Sequence, residues 1–78
     1  MQVSINETVY SVPDNEHEKL RKLRKEFGTA EIPASEIFDV EGMSLVGKGL
    51  IEQLPSGNGK LTTDGDLIAS TKRRNGGR

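Results

Sequence analysis

The chain has no cysteine and no tryptophan, one histidine, one tyrosine and two phenylalanines among its 78 residues. Without cysteine there is no disulfide, no thiolate nucleophile and no zinc site built on sulfur. The lone His17 cannot assemble a histidine-rich metal centre. No apolar run approaches the ~20 residues of a membrane helix, and the N-terminus lacks the pattern of a secretory signal. The expected compartment is therefore cytoplasmic. With 32% hydrophobic residues, the chain is one small domain with a thin core.

Charge is what the chain does have, and it is unevenly spread. All twelve acidic residues lie between Glu7 and Asp66. Seven of the eleven basic residues lie in 1–71, and the other four are Lys72, Arg73, Arg74 and Arg78. The pattern is an acidic domain over 1–71 followed by a basic tail over 72–78, which is expected to be flexible.

Met1 to Ile5 alternates apolar and polar residues, as a half-buried strand does. Val9 to Val12 is a second strand, joined to the first through Asn6-Glu7-Thr8 and ended by Pro13. Asn15 with Glu18 offers capping chemistry for a helix over 16–27. Leu20, Leu23 and Phe27 form its apolar stripe, and Gly28 is its left-handed stop. His17, in the first turn of this charged helix, is expected to face solvent. Ile32-Pro33 leaves in extended geometry. Glu36–Val40 and Met43–Val46 alternate loosely and read as strands, because Gly42, Gly47 and Gly49 argue against a helix. Leu50–Leu54 suits a strand or a short helical turn, 55–59 a loop, and Asp64-Gly65 a turn. Asp66–Thr71 reads as the closing strand. Asp64 and Asp66 lack the ligand series of a calcium loop. No base is positioned to activate a serine or threonine, so no enzymatic role is expected.

This element order, a hairpin, one helix and a mixed sheet, makes an α+β fold that resembles the β-grasp roll of the ubiquitin-like family. Ile32-Pro33 after the helix, the turn Val46-Gly-Lys-Gly-Leu50, and a closing strand leading to basic residues and Gly76-Gly77 follow the family's order. The resemblance implies a protein modifier or a sulfur carrier, used through its C-terminal diglycine. Gly76 and Gly77 would be the conjugated end after a peptidase removes Arg78. Lys72, Arg73 and Arg74 would contact an ATP-dependent activating enzyme. That enzyme and a conjugating enzyme would bring the nucleotide and the reactive cysteine, so no cofactor is expected on this chain. Lys48 is a candidate acceptor of a modifier. Ser44 falls where the family carries a large aliphatic residue, so ubiquitin receptors are not expected partners.

A second resemblance competes with the first. Leu45 to Thr62 is similar to the wing of winged-helix repressors: a helix ends, a Gly-Leu-Ile-Glu strand follows, and a glycine-rich turn leads to Lys-Leu-Thr. It would make Pro33–Ile37 and Val40–Val46 helices and put the basic tail on DNA phosphates. Against it, the presumed recognition helix has no Arg, Asn or Gln for base edges. A third possibility is a β-grasp interaction module with an incidental tail.

Overall fold

The computed structural model describes residues 2–71. At its start the alternating segment closes into a hairpin of β1 (Gln2–Ile5) and β2 (Thr8–Ser11), with Ile5 opposite Thr8. That register leaves a two-residue turn, Asn6-Glu7, with φ of 48° and 69°. Two left-handed residues give the twist that a tight hairpin needs. Val3, Ile5 and Tyr10 lean on the core from one face of the hairpin.

The helix α1 spans Asp14–Phe27. It begins two residues before the expected start, and Pro13 occupies the cap position with no side-chain cap. Acidic residues in its first turn and Arg24 and Lys25 in its last suit the helix dipole. Gly28 ends it with φ 58°. Leu20 and Leu23 are fully buried, and Phe27 packs partly against them.

Beyond α1 the expected strands are corrected. Residues 34–36 form a single 3-10 turn, and Val40–Gly47 is a second helix, α2. Asp39 caps α2 by accepting a hydrogen bond from the Gly42 N–H at 2.7 Å. Gly42 is tolerated for a packing reason: a Cβ there would stand 2.3 Å from the Ile37 carbonyl oxygen. A residue that looks like a helix breaker is the one that lets the turn and the helix touch. The expected turn at Asp64-Gly65 and the expected closing strand up to Ser70 are likewise helical, inside α3 (Thr63–Ser70), and Thr71 is its extended C-cap. Thr62 caps α3 by accepting from Gly65 N–H at 3.0 Å, and a Cβ on Gly65 would lie 1.9 Å from the Leu50 carbonyl oxygen.

The single mixed sheet is corrected as well. Among the described residues there are two separate antiparallel sheets of two strands, β1–β2 and β3 (Ile51–Gln53) with β4 (Gly59–Leu61). The fold is α+β, with three helices in place of one. One further pairing ties the second hairpin to the middle of the chain. Ile32 and Gly59 exchange both backbone hydrogen bonds, at 2.7 and 2.8 Å, as an isolated antiparallel bridge. Helix α1 runs between α2 and α3 and packs on both. The core beneath is Val12, Leu20, Leu23, Ile32, Ile37, Leu45, Leu50, Ile51, Ile68 and Ala69.

Candidate functional site

Five of the seven basic residues of 1–71 fall between Lys19 and Lys25, so α1 is the cationic element of the domain. Its buried stripe faces the core, and its exposed face borders a cleft on either side. Glu18 and Lys22 line both clefts.

The cleft between α1 and α2 is acidic. Asp14, Glu18, Asp39 and Glu41 line it against Lys19 and Lys22. Lys19 Nζ lies 2.8 Å from Asp39 Oδ2, and Asn15 donates to Glu41 Oε2 at 3.1 Å. The hydrogen bond from Lys19, then that from the Gly42 N–H, holds the Asp39 carboxyl below its ordinary value. On the outer side of α2, Phe38, Val40 and Met43 are 57%, 81% and 44% exposed.

The cleft between α1 and α3 is basic. Arg21, Lys22, Arg24 and Lys25 line it with Glu18, Ala69 and Ser70. Arg24 Nε is engaged by Asp66 Oδ1 at 2.8 Å. Tyr10 donates its hydroxyl proton to Asp64 Oδ2 at 2.5 Å. That bond to a carboxylate is the largest cause raising the Tyr10 pKa above its ordinary value.

Two polar groups inside the domain were not expected there from the sequence. His17 is corrected from solvent to core: it is 0% exposed, and its Nε2 lies 3.1 Å from the Ile68 carbonyl oxygen. Nε2 therefore carries the proton and links α1 to α3. The only clue was its place three residues before Leu20 on the helix stripe. Glu16, also buried, accepts from Ser44 Oγ at 3.0 Å and is paired with Lys48. Lys48, the candidate modifier acceptor, thus serves as counter-ion to Glu16, with 28% of its side chain exposed. Ser44 has the same internal partner.

Lys72, Arg73, Arg74, Gly76, Gly77 and Arg78 lie outside the described residues. Among the described residues, no group of three or more His, Cys, Asp or Glu is arranged to hold a metal ion, and no helix is long and apolar enough to cross a membrane. Comparison with models of known families, with curated proteins and with solved structures finds no match.

Proposed function

We propose that the chain is a winged-helix domain that binds the phosphate backbone of duplex DNA through the basic edge of α1 and α3 and the tail that follows. The observation that carries the reading is the Ile32–Gly59 bridge. It pairs one residue between α1 and the 3-10 turn with the first residue of β4. Between the first hairpin and α3 the order becomes helix, bridge residue, helical turn, helix, hairpin, with the bridge residue against the last strand. That order fits the second resemblance in the sequence, with β3–β4 in the place of the wing. Helix α2 stands where the recognition helix would be, but its start carries the acids Asp39 and Glu41, so it is not the element proposed to contact DNA. The β-grasp reading loses the mixed sheet on which it rested, and its modifier function now stands on the tail sequence alone.

Charge then selects the ligand and the edge. Arg21, Lys22 and Lys25 stand together, and α3 ends at Ser70, in the same cleft. Lys72, Arg73 and Arg74 follow in sequence. Phosphates favour such a cluster without regard to base sequence. The outward face of α2 offers Val40 and Met43, which carry no hydrogen-bond donor for a base edge. Backbone contact, not base readout, is therefore the mode this domain supports.

The test is the fluorescence anisotropy of a labelled duplex of about two helical turns, titrated at several salt concentrations. Binding in the micromolar range is expected at ~0.05 M salt, falling steeply toward ~0.2 M. Changing Arg21, Lys22 and Lys25 together to Ala should weaken it at least tenfold and flatten the log K against log salt slope by about 3 × 0.9. No binding at ~0.05 M salt, with ready adenylation of a chain ending at Gly77 by an activating enzyme, would overturn this reading and restore the modifier.

A further inference from the structure

We infer that Arg24 is the side chain that grips phosphate on the basic edge, as a fork of its Nη groups, and that Asp66 is the positioning residue that holds the fork in place. Arg24 thereby adds direction to the charge of Arg21, Lys22 and Lys25, and its role rests on the phosphate-binding reading of this edge.

Arg24 Nε donates to Asp66 Oδ1 at 2.8 Å. A carboxylate that occupies an arginine fully takes two parallel N–H groups. Here the contact is single and uses the guanidinium nitrogen nearest the chain, so both Nη groups have no hydrogen-bond partner among the described residues. Of the pair, Arg24 lines the basic cleft and Asp66 does not. The carboxylate therefore backs the guanidinium without closing the cleft to it. Each side chain is 45% exposed, so a ligand can reach the fork.

Asp66 is a firm support. It sits in the first turn of α3, where its N–H donates to the Thr62 carbonyl oxygen at 2.9 Å. Thr62 caps that turn, and the close approach of Gly65 to Leu50 seats it on the domain. The other cations of the cleft differ. Among the described residues no ion pair holds Arg21, Lys22 or Lys25. A free cationic side chain gives up rotamer freedom when it binds, whereas a held one has given it up on folding. A planar fork also matches a pair of phosphate oxygens, which a lysine meets only as a point charge. The free cations draw the anion in, and Arg24 fixes how it sits.

The test uses the full chain with two probes: the labelled duplex, and inorganic tripolyphosphate followed through the Arg24 Nε–H signal in heteronuclear spectra. Asp66→Ala removes the acceptor and should weaken both probes several-fold. Asp66→Asn keeps an acceptor for the Nε–H and should bind at least as tightly as wild type, because a like charge is gone from beside the phosphate. A purely structural Asp66 would not split these variants, since both lose the charge that suits the start of α3. Arg24→Lys keeps the charge and loses the fork. Its duplex affinity should fall about tenfold, with the slope of log K against log salt unchanged. Arg21→Lys should alter neither.

Tighter binding by Asp66→Ala would make Asp66 a competitor for Arg24 and overturn the inference. Asp66→Asn as weak as Asp66→Ala would overturn it too, as would Arg24→Lys binding like wild type. If tripolyphosphate follows the expected pattern and duplex does not bind, the fork stands and the DNA reading falls. If duplex binds and the variants do not split, the DNA reading stands and the fork falls. If neither probe binds, both fall.

Discussion

Lys19 and Lys22 of α1 share the cleft with α2 with four carboxylates, whereas Arg21, Lys22, Arg24 and Lys25 of the same helix share the cleft with α3 with one, Glu18. The difference comes from the neighbouring helices and from which end each one presents. Acidic residues gather at helix N-termini, where they cap orphan N–H groups and meet the positive end of the dipole. Helix α2 turns its start toward α1, so Asp39 and Glu41 enter the cleft. Helix α3 turns its end toward the exposed face of α1, so neutral Ala69 and Ser70 line that side. The acids of its first turn are used elsewhere, Asp64 on Tyr10 and Asp66 on Arg24. A rule about helix ends thus gives one domain an acidic edge and a basic edge.

If two seated helices create the two edges, unseating either should erase one. Gly65→Ala would drive a Cβ to 1.9 Å from the Leu50 carbonyl oxygen, and Gly42→Ala to 2.3 Å from that of Ile37. Neither obstacle is a flexible side chain, so backbone must move. Gly65→Ala should cost more than about 3 kcal/mol, a large part of what a small domain has. Gly42→Ala should cost slightly less. Urea titration followed by circular dichroism measures both. Loss of less than about 0.5 kcal/mol for either variant would mean that its helix is not held by that contact.

These glycines also explain what could be read in advance. Helix α1 was legible because its stripe of Leu20, Leu23 and Phe27, its charge order and Gly28 all lie within one window of sequence. The first hairpin was legible for the same reason, its strands being two residues apart. Helices α2 and α3 were not. Their stability comes from contacts with Ile37 and Leu50, and the small residues that permit those contacts lower local helix propensity. Asp39 and Thr62 are caps, but side chains of these types also mark turns, and only the N–H groups of Gly42 and Gly65 decide. His17 was misassigned because charged neighbours surround it in sequence, whereas burial follows the face it shares with Leu20. The basic cluster on α1 was plain in the sequence. The acidic edge was not, since Asp14 and Glu41 meet only after folding.

A smaller effect tests the acidic edge alone. Asp39 is both the cap of α2 and the partner of Lys19. Asp39→Ala should cost about 1 kcal/mol, mostly from the cap. Asp39→Asn keeps an acceptor for the Gly42 N–H and should cost only a few tenths, because the ion pair with Lys19 is exposed. The folded Asp39 pKa lies below the ordinary 3.8. Its contribution is therefore whole above 3.8 and is lost as pH falls through the lower folded value. The stability gap between wild type and Asp39→Asn should shrink on acidification below 3.8 and stay flat above it. A gap that persists at pH values below the folded pKa would remove Lys19 as its cause.

The smallest effect lies on the basic side and reads how the charge of α3 is occupied. Tyr10 is the only tyrosine and there is no tryptophan, so an ultraviolet absorbance titration follows one phenol. Its proton is held by the Asp64 carboxylate, and ionising it would set two anions face to face. The folded pKa is raised above 10.0. The linkage therefore stabilises the fold below 10.0 and is lost as pH rises through the folded value. Asp64→Ala should bring the Tyr10 titration back toward 10.0 and leave the duplex affinity of the α1 cluster nearly unchanged, since Asp64 does not line the basic cleft. If the phenol still titrates high without Asp64, loss of hydration, the second cause of the shift, outweighs the hydrogen bond.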